Sequence, residues 1–100
     1  MLEQITVSKN SVVQASPNQV SSELSDEVVI LNIKAGVYHG LEATGTRIWQ
    51  LVQQPRHVDE ILDVLLSEFD VEREQCERDL VEVLEDLAAH GLLTVDLPAA

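Results

Sequence analysis

Basic residues, cysteine and glycine are all scarce in this chain of 100 residues, and each scarcity closes off a class of function. Lysine and arginine together number 6 against 18 aspartates and glutamates, a formal net charge of −12. A surface of that sign repels phosphate backbones, supports solubility and favours cationic partners. Most of it reads as a solvated acidic face and carries no information about the fold. The single cysteine, Cys76, has no partner for an internal disulfide, in keeping with a reducing compartment. No apolar run approaches the roughly 18 residues that a membrane span needs. The stretch Met1-Leu2-Glu3-Gln4 also lacks the basic-then-apolar pattern of a secretory signal. The expectation is a cytoplasmic protein with no membrane partner and no nucleic-acid partner.

Catalytic and cofactor chemistry are missing as well. The four glycines are scattered, outside any GxGxxG or GxxxxGK pattern, so nothing cradles a phosphate. His39, His57 and His90 fall in three different elements, with no HExxH or CxxC spacing, and no metal site is expected. Cys76 sits mid-helix among apolar positions and reads as a buried structural thiol. The carboxylates follow helix-surface spacing, which any solvated face satisfies, so they identify no acid–base pair. The chain is expected to be a binding protein without an active site and without a cofactor.

Apolar residues make up 45% of the chain, enough for a modest core in one domain spanning 1–100. The pattern changes near Gly40 from β-like to helical, an order that suggests an α+β fold. Ser11 to Ala15 is a candidate strand, and Pro17-Asn18 reads as a turn. Glu27 to Ile33 is rich in β-branched residues, and Lys34-Ala35-Gly36 separates it from Val37 to Leu41, which makes a β-hairpin. Three helical patterns follow. The first opens at Thr44 or Gly45 and stops before Pro55, with Trp49 as a core anchor beside Ile48, Leu51 and Val52. The second starts near His57-Val58, with Asp59 and Glu60 in its first turn and Phe69 closing its apolar face. The third runs from between Asp70 and Glu72 to about His90, where Gly91 suits a left-handed cap.

That third helix places Cys76, Leu80, Val83 and Leu87 on one stripe, which Leu84 and Ala88 widen. Asp79, Asp86 and His90 line the edge of the stripe near Val83. A face this broad either serves wholly as core or covers the core and leaves a strip for a ligand. The hairpin offers a second binding element, because an exposed sheet edge accepts an extended peptide as an added strand. If Val37 to Gly40 is such an edge, it and the third helix enclose a groove with an apolar floor and an acidic rim.

In order and spacing the residues resemble the PqqD family. The resemblance is carried by Val29-Ile30-Leu31-Asn32, Gly36-Val37-Tyr38-His39-Gly40-Leu41, Thr44-Gly45, Ile48-Trp49 and Val58-Asp59-Glu60-Ile61. It continues through Arg78-Asp79-Leu80, Leu84, Leu87 and Gly91-Leu92-Leu93. The family comprises the peptide chaperone of pyrroloquinoline quinone biosynthesis and the leader-recognition elements of ribosomal peptide biosynthesis. The combination of Gly36, Tyr38, Gly40-Leu41, Thr44-Gly45 and Ile48-Trp49 is most similar to the stand-alone recognition proteins of lasso-peptide gene clusters.

The resemblance spans about residues 20 to 95, and 1–19 match poorly. It implies a winged helix-turn-helix with three N-terminal strands followed by three helices. It also implies that the leader of a precursor peptide binds as an antiparallel strand between the third strand and the third helix. The leader would carry Tyr-x-x-Pro and be presented to a leader peptidase and a cyclase. Carried over by position, the peptide-binding residues are Val37, Tyr38, His39 and Gly40 on the strand, with Asp79, Leu80, Val83 and Asp86 on the helix.

Tyr38 either stacks on the leader or packs the sheet face, and Asp79 and Asp86 either pair with a basic leader residue or are solvated. Gly40 either lets an added strand approach closely or serves a turn before Leu41. Asn32 and Glu42 depart from the Asp and Asn common in the family, which leaves a capping or turn contact there open to change. An alternative keeps the fold but serves a radical-SAM maturase. A winged-helix DNA-binding regulator shares the architecture, but its third helix would carry Glu72, Glu74, Glu77, Asp79, Glu82, Glu85 and Asp86 against Arg73 and Arg78 alone.

Overall fold

The computed structural model describes residues 7, 8, 10–17, 19–24 and 27–96. Among the described residues four strands precede the first helix, and two short strands fall between and after the helices. Strand β1 is Val12–Ala15, β2 is Gln19–Leu24, β3 is Glu27–Asn32 and β4 is Val37–Glu42. Helix α1 (Thr44–Leu51), the two-residue strand β5 (Arg56–His57), α2 (Val58–Glu68), α3 (Arg73–Ala89) and strand β6 (Leu93–Asp96) follow. The expected α+β order, strands then three helices, is what the chain adopts. Pro17 lies between β1 and β2, while the Asn18 half of the expected turn is outside the described residues.

The strands form two antiparallel sheets, β2-β3-β4 and β5-β1-β6. The first is the three-stranded N-terminal sheet, with β4 as its third strand and one of its edges. The early strand Val12–Ala15 does not join it. It pairs instead with the last strand, Val13 opposite Val95 and Ala15 opposite Leu93, and with β5 through Val13 and Arg56. Alternation in β3 shows how the first sheet attaches to the core: Val28 and Ile30 are fully buried, and Val29 and Leu31 are half-buried on the other face.

Each helix buries its apolar positions at helical spacing. Ile48, Trp49 and Leu51 of α1 meet Val58, Ile61, Leu62 and Leu65 of α2 and Cys76, Leu80, Leu84 and Leu87 of α3 in one core cluster with Val28, Ile30 and Leu92. Trp49 is 1% exposed, as suits a core anchor rather than a ligand contact. Helices α2 and α3 are joined by Phe69 to Glu72, the short connection of a helix-turn-helix. Arg47 on α1 grips Glu68 at the end of α2 through two nitrogens, at 2.8 and 2.9 Å. That pairing raises the Arg47 pKa and lowers the Glu68 pKa, chiefly through the hydrogen bonds themselves.

One tether fixes the hairpin against α3. The Asn32 carboxamide accepts from the Ala35 N–H at 3.0 Å, holding the β3–β4 turn, and its Nδ2 donates to the His90 carbonyl at 2.6 Å. Gly91 follows with φ of 73°, and a Cβ there would come within 3.0 Å of Asn32 Nδ2. Glycine therefore serves two needs at this position, a left-handed helix cap and room for the tether.

Two substitutions test this frame. Leu84→Ala should lower the unfolding free energy in urea by ~2–5 kcal/mol, since the site is fully enclosed. Asn32→Asp sets an oxygen against the His90 carbonyl and should cost about 1 kcal/mol in the same measurement. An unchanged midpoint for Asn32→Asp would show that the tether adds nothing.

Candidate functional site

The β4 edge and α3 supply the walls of the candidate site, and the register of the sheet decides which β4 side chains face the helix. His39 lies opposite Ile30 and Leu41 opposite Val28, the two fully buried residues of β3, so His39 and Leu41 point to the helical side. Tyr38 lies opposite Leu31, which in turn lies opposite Val20. The tyrosine is 70% exposed on the outer face of the sheet, in an apolar cross-strand row, and is not brought to the helix side. Gly40 lies within β4 rather than at a turn, and a Cβ there would meet nothing within 4 Å. The chain's own packing thus places no demand for glycine at that position.

Being at the sheet edge, β4 leaves the N–H and C=O groups of alternate residues without a ladder partner. Helix α3 packs chiefly on α2 and β6, and reaches β4 through a side-chain bridge, His39 Nε2 to Asp86 Oδ2 at 3.2 Å. At its C-terminal end the bridge extends to a second imidazole. His90 Nδ1 lies 2.8 Å from the Asp86 carbonyl oxygen and 3.5 Å from its carboxylate, and the two histidine rings are 4.9 Å apart.

Three recesses border α3, the last of them shared with β4. A cavity of about 120 Å³ near the start of α3 is lined by Gly45 and Ile48 of α1, Leu65 and Phe69, and Cys76, Leu80 and Val83 of α3. A shallow cleft of about 290 Å³ follows between Asp79, Glu82, Val83 and Asp86. A third recess of about 260 Å³ lies between the hairpin, through Asn32, Val37 and His39, and the end of α3 at Ala89 and His90. The arrangement is an apolar depression that opens onto an acidic rim, then onto a pair of imidazoles.

Of the residues picked from the sequence, Asp79 and Val83 line both of the first two recesses, and Leu80 is the buried floor of the first. Asp86 and His39 meet directly, and Val37 lines the third recess. Tyr38 and Gly40 share the strand but not the recesses. The walls outside α3, above all Gly45, Ile48 and Phe69, leave no signal in the sequence, because no local spacing links those positions to α3. His90 was legible only as an edge residue, although it follows Asp86 by four and so shares its side of the helix.

Cys76 forms part of the first cavity yet is only 6% exposed. Burial pushes its thiol pKa up, and the Asp79 carboxylate adds to the rise. Nothing in that surrounding makes a nucleophile of it.

Fold and site together define a small domain in which an open strand edge faces a helix across a partly apolar groove, the arrangement that strand-adding peptide binders use. The chain belongs to the PqqD family: the profile described as coenzyme PQQ synthesis protein D matches residues 27–93. Among solved structures it is similar to TbiB1 in complex with the TbiA(beta) leader peptide. The two are 39% identical over 87% of this chain and 98% of that one, with a TM-score of 0.76. Its fold is also that of lasso peptide synthetase B1 complexed with the leader peptide, 24% identical over 82% of this chain and 96% of that one, with a TM-score of 0.67. No relative is found among curated protein sequences.

The thiol supplies a test that needs no ligand. A raised folded-state pKa contributes stability at pH below the ordinary thiol range, and the contribution is lost as pH climbs through the raised value. Alkylation of Cys76 by iodoacetamide at mildly alkaline pH should be at least about tenfold slower in the native protein than in urea. Equal rates would show the thiol to be open and ionised.

Proposed function

We propose that this chain captures the leader segment of a ribosomally made precursor peptide, of the lasso-peptide kind, and acts by binding alone. The observation that carries the reading is the likeness to TbiB1, a leader-peptide complex 39% identical over nearly all of its length, together with an unpaired β4 edge beside the recesses of α3. The leader would add to β4 as an antiparallel strand, its main chain taking up the free edge groups and its apolar side chains entering the cavity over Leu80 and Val83. The strand residues Val37, Tyr38, His39 and Gly40 would contribute chiefly through their backbone. Asp79 and Asp86 would receive basic leader groups at the rim.

Held in this way, the leader would be presented to a leader peptidase and a cyclase at a high effective concentration. The net charge of −12 agrees with a cationic or neutral partner and opposes the DNA-binding reading, in which the acidic α3 would meet phosphates. No helix among the described residues is long and apolar enough to cross a membrane. Cytoplasmic work beside the ribosome's product is the setting this reading implies. Service to a radical-SAM maturase would use the same groove with a different client.

A fluorescently labelled leader from the neighbouring precursor gene should bind with micromolar or tighter affinity. Val83→Glu puts a charge against the cavity wall and should weaken binding by more than ~1 kcal/mol, about fivefold, while circular dichroism stays unchanged. Absence of binding by the cognate leader would refute the proposal.

A further inference from the structure

We propose that His39, Asp86 and His90 form a binding site for a divalent transition-metal ion that ties β4 to the C-terminal end of α3. Each of the three offers one ligand atom, and these atoms all lie within 4.8 Å of one another. Zinc bonds of about 2.0–2.1 Å in a tetrahedral site place ligand atoms roughly 3.3 Å apart. The His39 Nε2 to Asp86 Oδ2 separation of 3.2 Å already matches that spacing, and His90 Nδ1 lies 3.5 Å from the other carboxylate oxygen, Oδ1. Closing the set on one carboxylate oxygen requires the half-exposed His90 side chain to leave its contact with the Asp86 carbonyl and turn toward His39, whose ring is 4.9 Å away. Its ring can offer either nitrogen.

The backbone of each ligand is held independently of any ion. His39 is set by the β3–β4 register, and Asp86 rides on a helix anchored by buried Leu84 and Leu87. The His90 carbonyl is held by Asn32 Nδ2. Preorganisation of this kind separates a site from a chance meeting of surface groups. Two imidazoles with one carboxylate suit zinc, cobalt or nickel, whereas calcium and magnesium prefer all-oxygen sets. Nearby Asp79 and Glu82 add negative potential, and three protein ligands leave a fourth position for water or a donor from a bound molecule. A plain His39–Asp86 ion pair, the simpler reading of the geometry, has no need of the second imidazole.

The test uses tag-free protein stripped with a chelator and then dialysed, titrated with Co2+ by visible absorption and with Zn2+ by calorimetry. A single saturable ion per chain is expected, with visible bands of tetrahedral cobalt and a Tm that rises with Zn2+. His39→Ala, Asp86→Asn and His90→Ala should each weaken binding by about tenfold or more. Asp63→Asn, which removes an exposed charge on α2 away from the three residues, should stay within about twofold of wild type. His39→Gln replaces His39→Ala if circular dichroism shows the latter misfolded. Binding that is unsaturable, or that survives loss of both imidazoles, would overturn the site. So would a plain ion-pair result, in which His90→Ala changes nothing. None of these readouts involves a peptide, so the outcome is independent of whether a leader binds.

Discussion

Helix α3 has to bury one stripe completely, and that requirement organises the rest of the molecule. Cys76, Leu80, Leu84 and Leu87 are sealed against α1, α2 and the sheet, which fixes the rotation of the helix about its axis. Once the stripe is fixed, the row beside it can face only one way. Asp79 and Val83 line the recesses beside it, Asp86 and His90 meet His39 of β4, and Val83 is half-buried where the stripe meets the rim. A helix rotated by one position would bury acids and leave no recess.

The second wall depends on the same helix from its far end. Asn32 joins the β3–β4 turn to the His90 carbonyl, so the position of the edge strand is tied to the point where α3 stops. Because β4 touches α3 mainly through the His39–Asp86 bridge, the edge keeps its unpaired backbone while the gap keeps its width. The early strand Val12–Ala15 pairs away from this sheet, with β6 and β5.

Much of this was legible in local pattern. The helices follow from the spacing of Ile48, Ile61, Leu65, Leu80 and Leu84, the hairpin from β-branched runs around Gly36, and the end of α3 from Gly91. The polar, alternating β2 escaped notice because Gln19 to Leu24 is exposed along most of its length and carries no core signal. The pairing of β1 with β6 joins positions some 80 residues apart, which no window of sequence registers. The α3 half of the site was readable from helical spacing. Its other walls, and the meeting of His39 with His90, arise only when separate elements pack. The hairpin pattern suggested an open strand edge, and family resemblance named the kind of peptide it would take; the side-chain direction of Tyr38, outward on the sheet, follows only from the β3–β4 register.

The most direct measurement is amide hydrogen exchange, read residue by residue by NMR, on the free protein and on its complex with the cognate leader. Alternate β4 amides, fast in the free protein, should become protected in the complex, and leader amides should gain protection in the same two-residue alternation. Chemical shifts of Val83 and Leu80 should move with them. Leader binding that protects no β4 amide, or that instead protects the outer faces of α1 and α2, would contradict strand addition at this edge.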